Sequence, residues 1–130
     1  METLLVQGGA RLTGRVAISG AKNAALPVIA AALLTGETVN LSGVPGLDDI
    51  NTMCELLESV GVGVHWGPGC LSLNAQDAVA GEVSYNLVKR MRASFLIAGP
   101  MLARFGYTRM PMPGGCAIGS RPIDLHLKAF

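Results

Sequence analysis

Two stretches of this sequence repeat one pattern at a constant separation, and the repeat limits the possible folds more than any other feature. At an offset of 70 residues, a cation, two apolar residues, a glycine and a threonine recur: Lys22, Ala25, Leu26, Gly36 and Thr38 match Arg92, Phe95, Leu96, Gly106 and Thr108. The match resumes at an offset of 76, where Leu47 and Asp48 match Ile123 and Asp124, so the second copy carries six additional residues. A fixed period indicates a duplicated structural unit.

The first copy alternates strand-like and helix-like stretches. In chain order they are strands at 4–7 and 14–19, a helix at 24–34 stopped by Gly36, a strand at 37–42, a helix capped by Asp48 or Asp49, and a hairpin of 63–66 and 70–74. Cys54 lies on the apolar face of the second helix and is expected in the core. The sequence thus predicts an α/β (α+β) fold of repeated βαβαββ units, the first at about 22–75.

The second copy follows a polar connection at 74–84 and is truncated. A largely helical stretch at 85–104, interrupted near Pro100 and stopped by Gly106, leads into a strand at 107–112. Another helix starts at about Ile123, and the sequence stops at Phe130 before a closing hairpin. This unit, about 85–130, is expected to expose an apolar face and strand edges, which a further portion of the protein or self-association would cover.

The additional residues of the second copy fall in a glycine-rich loop, Pro111 to Arg121, that contains Cys116. Its glycines leave the Cys116 sulfur unshielded by bulky neighbours, and Arg121 adds a positive charge just before a predicted helix N-terminus, which suits an anionic ligand. The alternative is a tight turn with a chance cysteine. A feature added to one copy is more often functional than one shared by both, which favours the functional interpretation.

Cations also stand where the helices begin. Lys22 and Asn23 lead into the first helix, where a lysine is unfavourable beside the positive end of the helix dipole unless an anion offsets it. Lys89, Arg90 and Arg92 cluster at the start of the helical stretch in the second copy. Solvated surface charge is the alternative interpretation for both groups.

Composition excludes several classes of function. The net charge is +1 without a basic run, so neither nucleic acid nor an anionic membrane surface is expected as a partner. The longest apolar stretch, 24–34, is too short to span a bilayer, and no signal sequence is recognisable, so we expect a soluble cytoplasmic protein. Three cysteines without metal-ligand spacing and two scattered histidines predict free thiols, no metal and no cofactor.

Three motifs in combination resemble the enolpyruvyl transferases: Ser19-Gly-Ala-Lys22-Asn23-Ala-Ala-Leu-Pro, Val88-Lys-Arg-Met-Arg92-Ala-Ser, and Pro113-Gly-Gly-Cys116-Ala-Ile-Gly-Ser-Arg121-Pro-Ile-Asp-Leu-His126. The resemblance covers the whole chain and is nearest to the members that use a UDP-sugar; the 5-enolpyruvylshikimate-3-phosphate synthases share the fold but are not expected to show the cysteine loop. It implies a two-domain enzyme in which residues 1–21 pack with an absent C-terminal domain and 22–130 form part of the N-terminal catalytic domain.

The resemblance also implies roles for individual residues. The substrates would be phosphoenolpyruvate and UDP-N-acetylglucosamine, in the first committed step of peptidoglycan synthesis. Lys22 and Asn23 would contact phosphoenolpyruvate, and Arg92 would contact the UDP-sugar. Cys116 would be the catalytic thiol, assisted by Lys22 and Arg121, and the uridine and phosphate region would be lined by Arg121, Pro122, Ile123, Asp124 and Leu125.

The family's aspartate base and a further phosphate-binding arginine would lie in sequence absent from this chain. We therefore expect a fragment that is inactive alone. A non-catalytic, self-associating or binding module built on the same scaffold is the alternative, although such a module has no need of Lys22, Arg92, Cys116 and Arg121 together.

Cys116 is predicted to react with alkylating agents much faster than Cys54 or Cys70, because exposure, Arg121 and the helix N-terminus favour its thiolate. Limiting alkylation of the folded chain followed by mass-spectrometric mapping measures the three rates. Equal labelling of all three cysteines would contradict a functional role for the loop that contains Cys116.

Overall fold

The computed structural model describes residues 3–113 and 122–130 and shows a mixed α/β chain. Its elements in chain order are α1 (Lys22–Ala31) with a 3₁₀ turn (Ala32–Leu34), β1 (Thr38–Ser42), α2 (Asp48–Glu58), β2 (Gly63–Gly67), β3 (Cys70–Asn74), α3 (Tyr85–Val88), a 3₁₀ helix (Arg92–Ile97), α4 (Ala98–Phe105) and α5 (Asp124–Ala129). The predicted α/β class, the first two helices, the strand between them and the hairpin are confirmed.

The three strands form one antiparallel sheet in the order β1-β3-β2. The last strand in sequence is therefore the central one. The hairpin turns at Pro68 and Gly69, and Gly69 has the positive φ of 69° that a type II turn requires at its second central position. Alternation along the strands separates an apolar face, with Leu71 and Leu73 fully buried, from an outer face where Asn74 donates a hydrogen bond to Thr38 Oγ1 at 2.9 Å.

Helices cover the apolar face of the sheet and enclose one core. On α2 the apolar residues Ile50, Met53, Cys54 and Leu57 recur at helical spacing and are all buried, and α1 packs against both α2 and the 3₁₀ helix. Cys54 lies in this core, as predicted. The fully buried side chains that fill the core include Ile29, Leu33, Ile50, Met53, Leu56, Leu57, Leu71, Leu73, Ile97 and Met101.

The two copies of the repeat begin their elements at matching residues. Lys22 is the first residue of α1 and Arg92 the first of the 3₁₀ helix. In the later match, Leu47 and Ile123 are the N-caps of α2 and α5, and Asp48 and Asp124 are the first helical residues. The helix types differ, since the first copy runs from α to 3₁₀ and the second from 3₁₀ to α.

Several predicted details are wrong. Residues 3–20 form no strand, because a strand needs a hydrogen-bonding neighbour and none of the described residues provides one. The side chains of Leu5 and Ile18 are accordingly 91% and 94% exposed. The packing of residues 1–21 with another domain stays a prediction. The strand predicted at 107–112 is reduced to one parallel bridge between Glu82 and Arg109.

The predicted helix boundaries of the second copy also need correction. The helical stretch is interrupted at residues 89–91 and not near Pro100. Pro100 is the third residue of α4, where a backbone N–H has no partner within the helix, so proline costs little there. Gly106 ends α4 with a left-handed φ of 71°, as predicted. Neither Asp48 nor Asp49 caps α2, because the cap is Leu47 and both aspartates lie in the first turn.

One arginine ties the second copy to the first. The Arg104 guanidinium, on α4, donates hydrogen bonds to the carbonyl oxygens of Leu33 at 3.0 Å and Thr35 at 3.2 Å. These carbonyls close the first helical segment and have no partner within it. The end of the first copy's helix is thus completed by a side chain from the second copy.

Within residues 3–113 and 122–130, no helix has the length and apolar character needed to cross a membrane.

Gly61→Ala is expected to lower the free energy of unfolding by about 1–3 kcal/mol, because this position combines a positive φ with a close backbone neighbour. Gly61 has φ 91°, and an added Cβ would lie 2.7 Å from the Asp77 carbonyl oxygen. Urea unfolding measures the change. Gly81→Ala is the matched control, since its Cβ would meet nothing within 4 Å; equal stability of the two variants would contradict the prediction.

Candidate functional site

Lys22 is held by an aspartate from the neighbouring helix. Its Nζ lies 2.5 Å from Oδ2 of Asp49, and the two side chains are 42% and 37% exposed. Asp49 belongs to the first turn of α2, where a carboxylate is favoured by the helix dipole. The anion that the sequence required to offset a lysine at the start of α1 is therefore supplied within the chain.

Arg92 reaches across to the segment that enters α5. Its guanidinium donates a hydrogen bond to the carbonyl oxygen of Pro122 at 3.0 Å. The next residue, Ile123, is 5% exposed and serves as the N-cap of α5. Arg92, Pro122 and Ile123, which were predicted from separate motifs, are thus brought together.

An open cavity of about 230 Å³ lies at this junction. Phe95, Leu96 and Ile123 provide apolar walls, while Arg92 and His126 provide polar groups. An arginine fork can bind a phosphate through two parallel hydrogen bonds, and aromatic and aliphatic walls suit a flat ring. The cavity therefore has the chemical character of a site for a ligand that carries both a phosphate and a flat ring.

Aromatic contacts link helix α5 to the 3₁₀ helix that begins at Arg92. The Phe95 ring meets the His126 ring edge to face at a centroid distance of 5.9 Å and stacks on Phe130 at 6.3 Å. Such pairs contribute about 0.5–1.5 kcal/mol each beyond their buried area. Phe95 therefore sets the position of α5 and of the cavity wall formed by Ile123 and His126.

The remaining predicted site residues that the structure describes have exposed side chains. Asn23 is exposed on α1 next to Lys22, and Asp124 and Leu125 are exposed in the first turn of α5. The described site residues that have defined neighbours fall in two groups: Lys22 and Asn23 at the start of α1, and Arg92 with Pro122 and Ile123 where the 3₁₀ helix meets the start of α5. Cys116 and Arg121 lie outside the described residues.

The other two cysteines differ in accessibility. Cys54 is 4% exposed, and burial, with smaller contributions from Glu58 and Glu55, raises the pKa of its thiol to about 11. A thiol with this pKa stays protonated at neutral pH and is a poor nucleophile. Cys70 is half-buried at the start of β3.

Among residues 3–113 and 122–130, no three His, Cys, Asp or Glu side chains are grouped so as to hold a metal ion.

Sequence reasoning missed Asp49, Phe95 and His126 as parts of these two groups. Asp49 was interpreted only as a helix cap, although an acid beside a helix start was a possible partner for Lys22. Phe95 was noted only as a repeat position, and His126 only as the end of a motif. Phe95 is distant in sequence from both His126 and Phe130, so no local pattern connects it with them.

A model of the EPSP synthase family (3-phosphoshikimate 1-carboxyvinyltransferase) matches residues 6–130. The chain therefore belongs to the EPSP synthase family of enolpyruvyl transferases. Among solved structures, the enolpyruvyl transferase NikO from Streptomyces tendae is similar with a TM-score of 0.64 and 25% identity, over 76% of this chain and 23% of that one. The resemblance deduced from the three motifs is confirmed.

More similar relatives have a narrower name, UDP-N-acetylglucosamine 1-carboxyvinyltransferase. Over the whole of this chain, the identity is 56% with enzyme 2 of Carboxydothermus hydrogenoformans, 48% with that of Campylobacter hominis and 49% with that of Chlorobaculum parvum. In each case the chain spans 31% of the relative's length.

Phe95→Ala is expected to release α5, raising hydrogen exchange roughly tenfold or more at the amides of residues 127–130, which donate hydrogen bonds in this helix, because the ring contacts with His126 and Phe130 are lost. Exchange on α2 should stay unchanged. Phe105→Ala, which removes another half-buried ring next to Arg104, is the control and should leave α5 protected. Unchanged exchange on α5 in Phe95→Ala would show that other contacts hold this helix.

Proposed function

We propose that this chain is part of an enzyme that transfers the enolpyruvyl group of phosphoenolpyruvate to the 3-hydroxyl of UDP-N-acetylglucosamine and releases phosphate. The observation that carries the proposal is the 56% identity with the Carboxydothermus hydrogenoformans enzyme over every residue of this chain. The three motifs fall within this match. The reaction would be the first committed step of peptidoglycan synthesis, in the cytoplasm.

In this proposal each of the two groups of site residues binds a different substrate. Lys22 and Asn23 would bind phosphoenolpyruvate, whose phosphate and carboxylate need cations and hydrogen-bond donors. The cavity beside Arg92 would receive the UDP-sugar, with Arg92 near its phosphates. Pro122, Ile123, Asp124 and Leu125 would line the uridine and phosphate region together with Arg121.

The reaction requires a proton donor and charge stabilisation. The sugar 3-hydroxyl oxygen would attack C2 of phosphoenolpyruvate, the carbon that bears the phosphate ester oxygen, while a base takes the hydroxyl proton and the methylene carbon gains a proton, giving a tetrahedral adduct. Cys116 is the proposed proton donor. Loss of a proton from the new methyl group and departure of inorganic phosphate then restore the double bond, with Lys22 and Arg121 stabilising the negative charges.

Catalysis would need further parts of the protein. The base and a further phosphate-binding arginine would come from the portion of the relatives that this chain does not match. The apolar side chains exposed along residues 3–20 would then be covered, since residues 1–21 would pack with the second domain. That domain would also exclude water from the reacting groups.

The 130-residue chain alone is expected to release no phosphate from phosphoenolpyruvate and UDP-N-acetylglucosamine, because it supplies one wall of a cleft. A fusion of this chain to the remaining sequence of the Carboxydothermus hydrogenoformans enzyme should restore release. A colorimetric phosphate assay measures both.

Cys116→Ala in the fusion is the control and should abolish release, as should fosfomycin if it targets the same thiol. Cysteine-dependent release by the chain alone would mean that self-association rebuilds the missing wall. A folded fusion that binds neither substrate would contradict the proposed function.

A further inference from the structure

The carboxylate of Asp49 is the nearest opposite charge to a lysine that the proposed function assigns to an anionic substrate. Lys22 Nζ and Asp49 Oδ2 are 2.5 Å apart, so the two charged groups are in direct contact. Both side chains are carried by elements anchored in the core, since Leu26 on α1 is 4% exposed and Ile50, next to Asp49, is fully buried. The pair therefore has a defined place at the junction of α1 and α2.

The repeated scaffold does not itself require an acid at this position. Lys22 corresponds to Arg92 at the offset of 70, and Asp49 corresponds to Leu125 at the offset of 76. Asp49 and Leu125 both lie in the first turn of the second helix of their copy. The second copy forms that helix with an uncharged residue, so the aspartate is specific to the copy that carries Lys22.

Stability is a weak explanation for the pair. More than a third of each side chain is exposed, and exposed ion pairs contribute little to folding. A comparable pair uses another acid of α2: Glu55 Oε2 lies 2.5 Å from Arg90 Nη1, and the two side chains are 46% and 47% exposed. The two pairs differ in whether the cation belongs to the proposed substrate site.

We propose that Asp49 is a positioning residue that acts through Lys22: it fixes the ammonium and cancels part of its charge, so that phosphate-bearing ligands bind only moderately and inorganic phosphate can leave. This inference rests on the proposed function. An anion on the open side of Nζ lies roughly twice as far from the carboxylate as from the ammonium, so the carboxylate cancels about half of the attraction. An enzyme that releases phosphate on every turnover benefits from such a limit.

The test measures inorganic phosphate binding to the ¹⁵N-labelled 130-residue chain by the amide shifts of Lys22 and Asn23, at low salt. Asp49→Asn retains the side-chain size and an oxygen that can accept a hydrogen bond from Nζ, but it removes the charge. Phosphate should bind about threefold tighter to this variant, and added NaCl should reduce the difference. Glu55→Gln is the matched control and should bind phosphate like the unmodified chain.

A double-mutant cycle separates action through Lys22 from a general effect of net charge. In the Lys22→Met background, Asp49→Asn should no longer change phosphate binding. The inference is overturned if Asp49→Asn weakens binding or leaves it unchanged, if the gain persists without Lys22, or if phosphate causes no saturable shift at Lys22. Since this measurement needs neither the sugar nor a second domain, it can fail while the fusion is active, and it can succeed while the fusion is inactive.

Discussion

The fold depends on the central place of β3 in the sheet. This strand is the last of the three in sequence, yet it pairs with both of the others, and its Leu71 and Leu73 carry the fully buried face on which the helices rest. Until β3 pairs, β1 has no hydrogen-bonding neighbour and α2 has no sheet to cover. The positions of Lys22 on α1 and Asp49 on α2 therefore follow from a contact made further along the chain.

Local sequence signals predicted the elements whose stabilising contacts are close in sequence or strongly periodic. The apolar face of α2, with Ile50, Met53 and Leu57, is readable from its spacing alone, and the Gly-Pro-Gly turn identifies the hairpin. The repeat added information that propensity lacks, because it matched Lys22 with Arg92 and Asp48 with Asp124, and each of these residues is the first of its helix. The site residues came from motifs and not from geometry.

The features that sequence reasoning missed depend on partners distant in sequence. The short β-prone stretches around Leu5 and Ile18 favour strands, but a strand exists only when another strand lies beside it. For the same reason, the stretch around Arg109 forms a single β-bridge, with Glu82, and no strand. The partnership of Lys22 with Asp49 and that of Phe95 with His126 arise only when two helical elements pack, so no window of the sequence contains them.

Arg104 has a consequence for the history of this repeat. After an internal duplication, each copy can in principle persist as an independent module. Here a side chain from the later copy completes the hydrogen bonding at the end of the earlier copy's helix, at Leu33 and Thr35. Separating the copies would leave these two carbonyl groups without their arginine donor, so selection for the stability of the first copy also acts on Arg104 in the second.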